Sequence, residues 1–391
     1  MTEIVPAPAA PPPAGSPETE APDAIPGPLL PLGDGELLDP AAIAARLESL
    51  AAVAARYAEK ASGAGTRRAY GAAWDAFATW CQRHGLEPLA GDPGIVALYL
   101  TARAKDGLAV SSLGVARAAI RARHRMAKVP LDLDDPRITL VMRGVTNTKG
   151  KRPKRKAAPA VPALLRRMIA ACPFPESPAA SADALAARHR AMLLIGFGAG
   201  LRRSELTALA VGDVSPLPGR GLTVLVRKAK SDQQGEGRLI AIHANLKEPD
   251  FCPAVAFARW MDIRATGPDW APPPAQNAES WHAARPVFCG IGKAGTLKGK
   301  AMADLVVARL LKKTALHAGL DPAGFSGHSL RRGLLTDAGD RREQLRDVMR
   351  HSRHVKVETA LGYMEESEIW RDNITEGVFA RRPGAPSDVQ S

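Results

Sequence analysis

The chain has 391 residues, 46% hydrophobic and 24% charged, with 53 Lys and Arg against 40 Asp and Glu for a formal charge of +13. That length holds two or three domains with cores of their own, and no stretch approaches the roughly 20 apolar residues of a membrane span. The charge favours polyanionic partners, nucleic acid above all, without naming a reaction.

Four cysteines (Cys81, Cys172, Cys252 and Cys289) lie far apart, with no Cys-x-x-Cys pair. This argues against a disulfide framework or a structural zinc, and for a reducing, cytoplasmic setting. The N-terminus has neither a basic n-region nor a compact apolar core, so no secretory signal is expected.

In chain order, residues 1–38 are rich in Pro, Ala and Gly and cannot offset their ordering entropy by burial, so they are expected to be disordered. Residues 41–61 carry Ile43, Leu47, Leu50, Val53 and Tyr57 at helical spacing, which predicts an amphipathic helix opening the first domain. Thr66 is read as the cap of a second helix, whose Tyr70, Trp74, Phe77 and Cys81 form one apolar core stripe. A third helix is predicted over about 95–104. Ser111 or Ser112 is read as capping a fourth that runs to about Met126.

That fourth helix sets Arg117, Arg121 and Arg125 at i, i+4 and i+8 inside an acid-free run that also holds Arg123 and Lys128. A solvated face and a DNA-facing one both fit such a stripe; the lack of acids favours DNA. Residues 149–156, Lys-Gly-Lys-Arg-Pro-Lys-Arg-Lys, are too charged and broken to be core. They mark a boundary. A solvated linker, a nuclear localisation signal and a strap along the phosphate backbone compete, and the strap is favoured, with Lys151, Arg152, Lys154 and Arg155 as its contacts.

The second domain, 159–391, is expected to be mostly helical. An apolar helix over 186–197 ends at Gly198-Ala199-Gly200, and another starts near Arg202–Ser204. Leu222–Val226 and Leu239–Ile242 flank a polar loop and predict a hairpin. Residues 266–285 read as irregular, and helices resume over about 302–318, from His328, from about Arg341 and around 366–378. The fold class is therefore mainly α with a small β-hairpin or sheet, an α+β protein.

One ordered set of residues carries chemistry: Gly200–Leu206 (Gly-Leu-Arg-Arg-Ser-Glu-Leu), His328–Arg331 (His-Ser-Leu-Arg), Ser352–His354 (Ser-Arg-His), then Tyr363 nine residues on. Planar guanidinium forks match the oxygens of a phosphodiester, whose charge grows in the transition state. Arg202 and Arg331 are the candidates. A phenol attacks phosphorus and later leaves more readily than a serine hydroxyl. His328 and Arg331, three apart, share one helical face. His351 and His354 have the same spacing, but no cysteine or carboxylate cluster accompanies them, so no metal site is expected.

This order, with a lysine in the hairpin, resembles the tyrosine recombinases (phage integrase family) over roughly 45–385. Residues 60–150 also resemble that family's SAM-like core-binding domain, through Thr66-Arg67-Arg68-Ala69-Tyr70, Trp74, Trp80 and Val96-Ala97-Leu98-Tyr99-Leu100. Beside the tail (1–38) and basic linker (149–158) read from composition, the resemblance implies a core-binding DNA-binding domain (39–148) and a catalytic domain (159–391). It implies Arg202 and Arg331 as the phosphate-gripping arginines and Lys230 as general acid on the leaving 5′-oxygen, with Lys228 the alternative register. His328 would assist proton transfer, His354 would bond the scissile phosphate, and Tyr363 would form a 3′-phosphotyrosyl link.

The sequence departs from the pattern at Arg353, where a glycine is usual, and His351 competes with His354 for the second histidine place. The implied activity is site-specific DNA recombination or integration without metal, ATP or another cofactor, by a tetramer on double-stranded DNA. A DNA-binding protein of the same fold without catalysis, and a type IB topoisomerase-like activity, are the alternatives.

Overall fold

A computed structural model of the chain describes residues 40–60, 63–150, 156–227, 237–274, 276–368 and 375. The expected N-terminal tail and the strap residues Lys151, Arg152, Lys154 and Arg155 lie outside the described residues. So do Lys228, Lys230 and nearly all of the helix expected around 366–378. Two compact units divide the chain, one ending at Lys154 and one starting at Arg155.

The first unit is helical: α1 (Pro40–Lys60), α2 (Ala64–Arg83), α3 (Pro93–Lys105), α4 (Val110–Met126) and α5 (Pro136–Lys149). Its core gathers Phe77 and Cys81 of α2, Val96, Tyr99 and Leu100 of α3, Leu113, Ala116 and Ile120 of α4, and Ile138 of α5. Of the predicted α2 stripe, Phe77 and Cys81 are core and Trp74 packs against them, while Tyr70 is only half-buried; the Phe77 and Tyr99 rings lie edge-to-face at 5.0 Å. Fully burying each large apolar side chain contributes about 1.5–3 kcal/mol.

Two helix starts follow one rule: Asp92 and Asp135 accept from the backbone N–H groups of Gly94 (2.7 Å) and Arg137 (2.8 Å), each with proline at the first helical position. The caps expected from the sequence are displaced. Gly63 caps α2 and Ala109 caps α4, leaving Thr66, Ser111 and Ser112 inside first turns. α5 has no counterpart in the sequence-based prediction. α1 forms, yet Ile43, Leu47, Leu50 and Tyr57 are exposed, so its spacing foretold the helix but not a packing partner.

The second unit contains α6 (Pro162–Ala170), α7 (Ala179–Gly198), α8 (Arg203–Thr207), β1 (Val214–Leu217), β2 (Gly221–Val226), β3 (Arg238–His243), α9 (Pro253–Arg264), α10 (Ala278–Ala283), β4 (Cys289–Ile291), β5 (Leu297–Ala301), α11 (Leu305–His317), α12 (Ser329–Asp340), α13 (Leu345–Ser352) and α14 (Val357–Glu368). The predicted hairpin is β2–β3, antiparallel from Gly221↔His243 to Val226↔Arg238. β1 widens it to a three-stranded sheet, and β4–β5 makes a second antiparallel pair. Residues 266–285 are not wholly irregular: Asn277 caps α10 through its side chain, 3.1 Å from the Ser280 N–H.

α7 supplies the centre of the core. Ala191 to Gly196 are consecutively buried, packed with Leu206, Val224, Ile240, Trp260, Phe288, Leu311 and Leu330. Burial on every side makes the helix apolar all round rather than amphipathic. α7 also packs against α12, which packs in turn against α14. A smaller cluster of Leu335, Ala338, Val348 and Met364, with Tyr363 and Leu345 against it, joins α12, α13 and α14.

Candidate active site

Three backbone segments converge: the turn after α7, the first turn of α12, and the α13–α14 connection. Gly200 makes that turn with φ +55°, a left-handed conformation that glycine adopts without strain. Its carbonyl oxygen then faces α12, where it accepts from Arg331 Nη1 at 2.8 Å.

Arg331 is 3% exposed. Its Nη2 donates to the Ser352 carbonyl oxygen and to His354 Nε2, the latter at 3.1 Å. Burial, then the nearby Arg202 and Arg353, push its guanidinium down to about 10. It remains charged at neutral pH, a desolvated cation held by neutral carbonyls.

His354 has a defined tautomer. A guanidinium only donates, so Nε2 accepts, and Nδ1 carries the proton toward Ser352 Oγ at 2.7 Å. Burial first, then Arg331, Arg202 and Arg353, lower the imidazole to about 4. The Tyr363 ring lies beside it on α14, with 5.6 Å between ring centroids.

Arg202 caps α8. Glu205, at the third helical position, accepts from the Arg202 backbone N–H (2.9 Å) and from Arg202 Nη1 (2.6 Å), which fixes the helix start and the guanidinium together. Glu205 also accepts from Arg353 Nη2 at 2.9 Å, with both side chains 3% exposed. Burial pushes the Glu205 carboxyl up, but Arg353 and Arg202 outweigh it and hold the group below its ordinary value.

The structure therefore gathers Arg202, Arg331, His354 and Tyr363. His328 caps α12 one turn before Arg331 and is exposed, so the shared face expected of the two does not share an environment. His351 Nε2 donates to the Gly198 carbonyl oxygen at 2.7 Å, whereas it is His354 that meets Arg331 Nη2. Arg121 and Arg125 are exposed on α4, while Arg117 is paired with Asp134 at 3.2 Å. Glu205 and Ser352 went unassigned in the sequence, although Glu205 sits three residues after a helix cap, a spacing that signals such a bond.

No family model matches the chain. A curated relative, an integrase/recombinase xerD homolog from Selenomonas ruminantium, is 28% identical over 342 residues, spanning 85% of this chain and 90% of that one. Among solved structures, XerH site-specific recombinase in a post-cleavage complex with palindromic difH substrate is similar over 73% of this chain and 71% of its own, at 16% identity and TM-score 0.48. A lambda integrase dimer bound to a COC′ core site is similar over 85% and 82%, at 15% identity and TM-score 0.46. The residue order resembles that of the tyrosine recombinases, and the likeness to the Selenomonas protein extends over most of both chains.

Proposed function

We propose that the protein is a site-specific DNA recombinase or integrase that cuts and rejoins strands through a 3′-phosphotyrosine intermediate. The observation that carries this is the meeting of Arg331, His354 and Tyr363, with the Arg202–Glu205 pair beside them. Arg202 and Arg331 bind the non-bridging oxygens of the scissile phosphate and offset the charge gained there. Neutral His354 turns its one ring N–H, held toward Ser352 Oγ before DNA binds, to donate to the same oxygens. Tyr363 Oη attacks phosphorus, and the bond to the 5′-oxygen breaks.

That oxygen leaves with a proton from Lys230, which lies outside the described residues. His328, exposed at the head of α12, takes the phenolic proton. Attack by another 5′-hydroxyl reverses the sequence and frees Tyr363. Double-stranded DNA is the partner. Arg117, Arg121, Arg125 and the strap residues Lys151, Arg152, Lys154 and Arg155 meet its backbone, four protomers assemble on two duplexes, and the setting is the cytoplasmic nucleoid.

The test is a denaturing gel of protein with nicked suicide DNA. Wild type gives a covalent adduct, and Tyr363→Phe gives none while binding the site nearly as well. An adduct that survives in Tyr363→Phe overturns the assignment.

A further inference from the structure

Arg353 stands where the resembling family usually has glycine, and its backbone is left-handed, with φ +61° and ψ +38°. Glycine adopts that conformation at no cost, whereas a side chain strains it. The side chain is nonetheless almost wholly buried, and its bonds reach residues of the site. Nη1 donates to the carbonyl oxygens of Ala199 (3.1 Å) and His351 (3.3 Å), and Nη2 to those of Gly200 (3.2 Å) and to Glu205 (2.9 Å). Glu205 is the residue that grips Arg202, and the Gly200 carbonyl is the one that holds Arg331. Arg353 thus brackets the anchors of both arginines.

We propose that Arg353 is a positioning residue of the cleavage reaction: it takes up the buried Glu205 carboxylate, which aims Arg202 and leaves the Arg202 charge for the scissile phosphate. This rests on the recombinase reading above. One carboxylate faces two guanidiniums here. The Arg353 pair is sealed, whereas the Arg202 side chain keeps 19% of its surface exposed. A buried carboxylate with Arg202 as sole partner would draw that cation inward and compete with the DNA phosphate.

The test follows adduct formation on suicide DNA against pH for wild type, Arg353→Gly, Arg353→Lys, Glu205→Gln and the Arg353→Gly/Glu205→Gln double variant. Melting and site binding accompany each. Glycine suits the backbone, so Arg353→Gly is expected to fold, bind, and cleave on the order of a hundredfold more slowly, the cost of a misplaced reacting group. Glu205 is faced by Arg202 on its own helix, by Arg353 beyond α13 and, more distantly, by Arg331 on α12. Losing Arg353 raises the Glu205 carboxyl, so the acid limb of the pH–rate profile moves to higher pH. Arg353→Lys keeps a cation for Glu205, recovers part of the rate and leaves that limb in place.

The double variant is expected to be no slower than its slower parent, because both changes break one linkage. Normal cleavage by Arg353→Gly, or an unmoved acid limb, or losses that multiply in the double variant, each overturns the inference while wild type still forms adduct. A wild type without adduct overturns the recombinase reading itself. Should Arg353→Gly unfold, Arg353→Lys decides: an acid limb displaced from the wild-type position overturns the inference.

Discussion

His354 Nε2 accepts a hydrogen bond from Arg331 Nη2 at 3.1 Å, and this contact fixes the protonation of the site. An imidazole that accepts there cannot be protonated at that nitrogen, and three arginines with burial oppose any second proton. The histidine can turn its one N–H to a phosphate oxygen or keep its place, but it adds no positive charge of its own. Among the described residues, the cations gathered with Tyr363 are the Arg202 and Arg331 guanidiniums.

Acid should therefore weaken the second unit through its histidines. An unfolded histidine titrates near 6.5, whereas His354 is held at about 4 and His189, buried against Arg188, at about 3. Both folded values are depressed. Between about pH 4 and 6.5 the unfolded chain binds more protons than the folded one, so stability rises with pH through that window and is lost on acidification. Thermal melts at pH 7, 6 and 5 should show a falling midpoint, and His354→Gln should flatten the fall. An equal slope in that variant would remove His354 from the account.

Glu205 should be the costliest carboxylate to delete. Its side chain and that of Arg353 are each 3% exposed, and removing one partner of such a buried pair costs about 3–5 kcal/mol because the other charge stays buried alone. Glu205→Ala is expected to lower unfolding stability in urea by that amount and to free Arg202. Asp134→Ala removes an acid that is 82% exposed on its side chain, and should shift stability by no more than about 1 kcal/mol. A Glu205→Ala variant as stable as Asp134→Ala would refute this view of the pair.

What the sequence revealed depended on how local each signal was. The β2–β3 hairpin and the Phe77–Cys81 stripe are periodic over a few residues, and the α7 run is continuously apolar; their burial follows. Arg331 and Tyr363 were legible because their spacing from His354 forms a pattern. Glu205–Arg353 spans 148 positions, and no local signal reports a bond closed by the packing of α7, α12 and α13. Helix starts were misplaced where Gly63 and Ala109, lacking a side-chain oxygen, serve as caps. α1 shows the converse limit, since helical spacing predicts a face and leaves its partner unspecified.

Gly333 should tolerate no side chain. A methyl group built there falls 2.5 Å from the carbonyl carbon of Ala160, and that backbone is held by the bond from the Ala160 N–H to the Ser329 carbonyl oxygen, 2.9 Å. Gly333→Ala must push α12 away from the 157–160 segment, at about 1–3 kcal/mol for overpacking. Arg331 sits two residues earlier on the same helix, so cleavage should fall further than stability. Comparing urea midpoints with adduct yield separates the two, and a variant with wild-type yield and midpoint would show that the helix can shift freely.

DNA affinity should distinguish the arginines of α4. They look equivalent in sequence because the run itself is acid-free, but the fold brings Asp134 from the following loop to within 3.2 Å of Arg117. Arg121 and Arg125 remain exposed. A guanidinium that neutralises a phosphate on binding releases a counterion, and its loss lowers the slope of log affinity against log salt by about 1, whatever the DNA sequence. Arg121→Ala and Arg125→Ala should each do so. Arg117→Ala should change the slope less, since Asp134 already neutralises that side chain in the free protein. Titrations at several salt concentrations would check this, and a larger effect at Arg117 than at Arg121 and Arg125 would mean that DNA displaces Asp134 and that the exposed pair faces solvent.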